Sequence, residues 1–151
     1  MKFSHVSLFI LALIGFQACT GDHTYSEYRD IPGLKWAAAD TMEFDIDIPQ
    51  TASYSMAVSA RHRKDYEFSN LWIQVMIKGP ALDTGFRYEM ALFNAEGRPY
   101  GESSGSTCTQ TIPLKGIGKL EKGKYSVRLV HLMRKDPIDG VQNIGVIVDP
   151  K

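Results

Sequence analysis

The sequence predicts an all-β fold, an antiparallel β-sandwich of seven to eight strands with either a jelly-roll or an immunoglobulin-like order. Three observations predict it. Beyond Leu34 the apolar residues recur at every second position, and the segments that carry this alternation are short and rich in aromatic and β-branched residues. No stretch of ten or more residues keeps a helical period with caps, and turn-forming residues separate the segments, as in two sheets packed face to face.

Met42, Phe44, Ile46 and Ile48 alternate with Glu43, Asp45 and Asp47, which describes a strand with one dry and one wet face. Tyr54, Met56, Val58 and Ala60 give the next. Leu71, Ile73, Val75 and Ile77 line one face of a third, with Trp72, Gln74, Met76 and Lys78 on the other. Phe86, Tyr88, Met90 and Leu92 repeat the pattern against Arg87 and Glu89, and Asn94-Ala95-Glu96-Gly97 then reads as a turn. A short strand follows near Thr109 to Leu114. Tyr125, Val127, Leu129 and His131 alternate with Ser126, Arg128, Val130 and Leu132. The dense turn signal of residues 135–140 leads to Ile144, Val146 and Val148.

The first nineteen residues have a different character. Lys2 precedes an apolar run from Val6 to Phe16, and Phe16-Gln17-Ala18-Cys19 places a small residue directly before a cysteine. The run is shorter than the roughly twenty residues that span a bilayer as a helix, so it reads as a secretory signal peptide that is removed. The cysteine at the cut matches a lipobox, in which the thiol is acylated and Cys19 becomes the new N-terminus. Residues 1–18 are thus expected to be a lipoprotein signal peptide, 19–33 a lipidated N-terminus and polar tether, and 34–151 the sandwich. The domain is expected in the cell envelope, fixed to a membrane through Cys19.

Seventeen basic and seventeen acidic residues cancel, and they are interspersed, so the overall balance offers no footprint for nucleic acid or for an anionic membrane. Once Cys19 is acylated, Cys108 has no partner for a disulfide within the chain and is expected to be buried.

Candidate chemistry is sparse. Gly101-Glu102-Ser103-Ser104-Gly105 fits G-x-S-x-G, but a nucleophile elbow needs a strand before the serine and a helix after it, whereas the residues after Gly105 are β-prone and reach Pro113. His62 sits among Arg61, Arg63 and Lys64, which disfavours a metal ion there, and His131 belongs to an alternating strand. No H-x-H, C-x-x-C or H-E-x-x-H spacing occurs, and no catalytic residue, metal or cofactor is predicted. Glu43, Asp45 and Asp47 read as the solvated face of an edge strand rather than as a calcium or glycosidase site. The better hints of binding are aromatic: Trp36, Tyr66, Phe68, Trp72, Phe93 and Tyr100 are candidate partner contacts, together with a basic patch at Arg61 and Arg63.

Several segments in order resemble the gliding-motility lipoprotein H family, GldH, of Bacteroidota. They are the lipoprotein start ending at Cys19, Trp36 followed by Asp40-Thr41, Tyr66-x-Phe-Ser-Asn-Leu-Trp72, Asp83-Thr84 leading to Tyr88-Glu89, and Gly123-Lys-Tyr125 through Met133-Arg134-x-Asp136 to Asp139-Gly140-Val141 and Ile144-Gly145. The chain departs from the resemblance at Arg98-Pro99-Tyr100, where a large aromatic is expected directly after the turn glycine. The resemblance implies a non-enzymatic envelope lipoprotein whose partners are other envelope proteins of the gliding and type IX secretion machinery, and it transfers no catalytic residues. A glycan- or peptidoglycan-binding envelope lipoprotein is the alternative that the aromatic residues leave open.

Overall fold

A computed structural model describes residues 25–151; the predicted signal peptide and the acylation site at Cys19 lie outside them. The chain forms β1 (Tyr25–Asp30), a single 3-10 turn at Pro32–Leu34, β2 (Lys35–Trp36), β3 (Met42–Ile48), β4 (Ala52–Arg63), β5 (Asn70–Lys78), β6 (Asp83–Ala91), β7 (Glu102–Ser104), β8 (Thr107–Pro113), β9 (Lys119–Leu120), β10 (Gly123–His131), β11 (Ile138–Asp139) and β12 (Val141–Pro150).

One sheet runs β1-β12-β4-β8-β7, with β9 added to the end of β4, and the other runs β3-β10-β5-β6. Among the eight strands of six or more residues, taken in chain order, the first sheet holds the first, eighth, third and sixth, and the second holds the second, seventh, fourth and fifth. That is the order of a jelly roll, which decides between the two sandwiches the sequence left open. Every pairing is antiparallel.

The period-2 pattern dictates what lies between the sheets. Phe44, Ile46 and Ile48 from β3, Leu71, Ile73, Val75 and Ile77 from β5, and Val127 and Leu129 from β10 meet Met56, Val58 and Ala60 from β4 and Ile144, Val146 and Val148 from β12, all of them buried. On the outer face of the smaller sheet the wet residues are matched across strands, Asp47 opposite Lys124, Glu43 opposite Arg128 and Lys78 opposite Asp83. Opposite charges placed so contribute modestly each and keep the sheet from slipping register.

The sandwich begins earlier than the sequence suggests. Tyr25–Asp30, placed in the tether on composition, forms an edge strand on β12. Arg29 of that strand reaches across to the other sheet, where its Nε donates to the Glu43 carbonyl at 3.1 Å and its guanidinium lies 5.0 Å from the Phe44 ring centroid. It closes one open side of the sandwich. On the opposite side the Tyr88 hydroxyl donates to the Pro113 carbonyl at 2.8 Å, tying β6 to β8.

One end is capped by the ribbon of β2 and β11, which pairs Trp36 with Ile138. Trp36 is completely buried, its Nε1 donating to the Asp40 carbonyl at 2.7 Å and its ring meeting His131 edge-on at 5.4 Å.

Candidate functional site

Trp72 lies on β5 in the phase opposite to Leu71 and Ile73, so its side chain leaves the outer face of the smaller sheet, where it is 38% exposed. The chain leaving β10 runs beside it, since the Leu132 amide donates to the Trp72 carbonyl at 2.8 Å. The Met133 side chain folds back, its sulfur 3.3 Å from the Trp72 amide nitrogen. Phe68, in the loop before β5, is held edge-on against Tyr66 at 5.7 Å.

Phe68, Trp72, Leu132 and Met133 line a groove of about 410 Å³, and Arg87 of β6 and Arg134 complete its rim. Leu132 is itself 39% exposed, so two large apolar side chains stand side by side in water. Neither the Arg87 nor the Arg134 side chain has a hydrogen bond or an ion pair among the described residues, and Glu89, two residues from Arg87 on the same face of β6, accepts instead from the Asn70 side-chain amide at 2.6 Å. Two unmatched guanidiniums beside an apolar hollow suit a ligand that carries carboxylates next to an apolar anchor.

The other predicted contacts do not join this groove. Trp36 and Tyr66 are buried, at 0% and 6% exposure, and in this fold they offer no surface to a partner. The physical reason is local. Trp36 belongs to the two-residue ribbon and turns into the capped end of the core, and the Tyr66 ring is held between His62, tilted at 5.9 Å, and Phe68, edge-on. Phe93 is half-buried with its ring edge-on to His62 at 5.1 Å. Tyr100 is exposed, on the loop between β6 and β7. Arg61 donates to the Thr107 hydroxyl at 3.1 Å, and Arg63 pairs with Asp65, so the expected basic patch is engaged by its own neighbours.

Leu132, Met133, Arg87 and Arg134 were not singled out from the sequence. Leu132 does continue the outward phase of the alternation through β10, one residue past its end, and that was the available signal.

His62 and His131, the serines of the G-x-S-x-G match and Cys108 lie outside this groove. His131 is buried; its Nδ1 accepts the Met133 amide at 3.3 Å, and its Nε2 lies 3.5 Å from an Asp136 carboxylate oxygen that also accepts the Ala38 amide at 2.8 Å. Burial in an apolar site pushes His62 below its ordinary pKa, although the Arg63 carbonyl, 2.9 Å from Nδ1, acts in the other direction. Ser103 and Ser104 lie in the β7–β8 hairpin with no helix after them, which removes the nucleophile-elbow reading. Cys108 is buried, its thiol donating to the Tyr100 carbonyl at 2.8 Å.

Fold and groove together define a jelly-roll module with an apolar, arginine-rimmed groove on one sheet. Residues 23–148 match the family model described as GldH lipoprotein, and the chain belongs to that family. It is 30% identical over 151 residues to the gliding motility lipoprotein GldH homolog of Christiangramia forsetii, covering 95% of this chain and 90% of that one. It is 25% identical over 163 residues to the gliding motility lipoprotein GldH of Flavobacterium johnsoniae, covering 100% and 99%. Among solved structures it is similar to a family 35 carbohydrate binding module from Clostridium thermocellum, with a TM-score of 0.45 and 10% identity over 83% of this chain and 89% of that one. A family 6 module from Cellvibrio mixtus lichenase 5A gives a TM-score of 0.40 and 11% identity over 86% and 92%.

Proposed function

We propose that the chain is held at an envelope membrane by acyl groups on Cys19 and works there as a non-enzymatic, partner-binding component of the gliding and type IX secretion apparatus. The groove at Trp72 receives a segment of another envelope protein. The observation that carries this reading is the pairing of exposed apolar side chains with two unmatched arginines at the rim, because Trp and Arg are among the residue types that most often anchor protein contacts. The lipobox-like start and the gliding-motility names of the relatives support the setting.

A photo-crosslinking residue at Leu132 tests the groove in cells. An adduct with an envelope protein is expected, lost when Arg87 and Arg134 are changed to Glu and absent when the crosslinker is moved to Ala57 on the other sheet. The same adduct from the doubly reversed variant would overturn the docking. An acidic glycan bound by the purified chain through Trp72, with no protein adduct, would replace the partner by a sugar. Deletion of the gene, scored for both surface secretion and movement, tests the link to the apparatus.

A further inference from the structure

The overall charge balance conceals a segregation that only the fold brings out. Of the nine lysines among the described residues, six gather at one end of the sandwich: Lys78, Lys115, Lys119, Lys122, Lys124 and Lys151, all exposed. None of the seven arginines is there. Four segments build this end. They are the turn after β3, the turn after β5, residues 114–122 and the last residues of β12. The Tyr54 amide donates to the Gly118 carbonyl at 2.8 Å, the Lys122 amide to the Thr51 hydroxyl at 3.0 Å and the Lys151 amide to the Ser53 carbonyl at 3.0 Å. Gly123 packs against Pro80 so closely that a Cβ would lie 2.7 Å from its ring.

Carboxylates at this end are fewer. Asp47 faces Lys124 and Asp83 faces Lys78 across strands, Asp45 lies level with Lys78 on the far side of β10, and Glu121 and Asp149 are the other two, five against six lysines. The loop from Leu114 to Lys122 alone sets Lys115, Lys119 and Lys122 against Glu121.

This end is also where the chain enters. Tyr25 opens β1 opposite Val148, near the close of β12. Only Thr20 to Thr24 separate Cys19 from Tyr25, a length that reaches at most about 20 Å when fully extended. The Trp72 groove sits at the other end of β5, about 20 Å from Lys78 along the strand.

We infer that the lysine-rich end is a second membrane contact, lying against the phosphate headgroups of an anionic leaflet and pointing the Trp72 groove away from the bilayer. The inference rests on acylation of Cys19. A tether of about 20 Å at most keeps the lysines close enough to the surface to settle into the layer of about 8 Å in which such attraction acts at physiological salt. One acyl signal plus a basic patch also holds more firmly than either does alone. The contact fixes orientation, because a domain tumbling freely on its tether would present the groove in every direction.

The test uses the full chain, processed in cells and reconstituted into vesicles of phosphatidylcholine alone or of phosphatidylcholine with phosphatidylglycerol. Brief lysine acetylation is followed by digestion and mass spectrometry. On anionic vesicles Lys115, Lys119 and Lys122 are expected to react about fivefold more slowly, the factor that one lysine near an anionic surface represents, and to recover in high salt. Lys35 and Lys64, at the far end, should react equally on both vesicles. Equal rates at all five lysines of an acylated protein overturn the contact. An N-terminal peptide without acyl groups overturns the anchoring itself, and the same digest reads it separately.

Discussion

The ring of Tyr28 lies directly on the backbone of Gly145. The two residues face each other across β1 and β12, and a Cβ at Gly145 would stand 2.4 Å from Tyr28 Cδ1 and 2.7 Å from the Glu27 carbonyl oxygen. The absence of a side chain is therefore a packing requirement, and the neighbour that cannot yield is backbone. Gly145→Ala is expected to push β1 away from β12 and cost about 1–3 kcal/mol, read by urea denaturation. Adding Tyr28→Ala should restore only part of the loss, because the Glu27 carbonyl remains in the way. Full restoration would mean that the ring alone sets the limit.

The two tryptophans of the chain make an internal comparison. Trp36 fills the capped end of the core and satisfies its indole N–H on Asp40, so Trp36→Ala should remove about 3–5 kcal/mol. Trp72→Ala should cost about 1 kcal/mol or less, because much of its side chain already meets water. Emission separates them without any stability measurement. The Trp36→Phe variant, lit only by Trp72, should emit further to the red and be quenched by iodide, and Trp72→Phe should resist quenching.

That contrast also marks what the sequence can and cannot disclose. Trp72 could be assigned to the phase opposite the core because its neighbours Leu71 and Ile73 fix the alternation of a nine-residue strand. Trp36 sits in a two-residue ribbon whose partner, Ile138, is far away in the chain, so no local period could show that it is covered. The long strands β3, β5, β10 and β12 were legible for the reason Trp72 was. The edge strand β1 was not, because Tyr25-Ser-Glu-Tyr-Arg-Asp30 buries nothing completely and owes its form to pairing with β12. The groove escaped notice for a similar reason. Its arginines come from two separate segments, and Leu132 and Met133 lie just past the end of a strand. The lysine-rich end comes from four such segments, and a count of charges over the whole chain averages it away.

His62 should make stability depend on pH. Burial holds its imidazole below the ordinary value of 6.5 in the folded protein, while the unfolded chain takes up a proton near that value. Below it, unfolding therefore binds a proton. Stability is full above pH 6.5 and falls as pH drops, by at most about 1.4 kcal/mol per pH unit, until the folded pKa is reached. His62→Phe, a ring that can pack among Tyr66 and Phe93, should flatten this slope between about pH 6.5 and 5. An unchanged slope in the variant would assign the dependence to other groups.

Cys108 faces His62 across β4 and β8, fully buried, with its S–H engaged by the Tyr100 carbonyl. A thiol in that position has neither the exposure nor the cationic neighbour that would make it a nucleophile. In a Cys19→Ser chain, which leaves it as the one thiol, a maleimide should label Cys108 at least about a thousandfold more slowly than in the unfolded chain, because the reagent must wait for the sheet to open. Raising urea should speed labelling in parallel with global unfolding, since β8 is paired along its length to β4 in the middle of the larger sheet. Labelling that is fast in the absence of urea would show instead that β7 and the Tyr100 loop lift away on their own, and would make that corner of the sheet the mobile part of the domain.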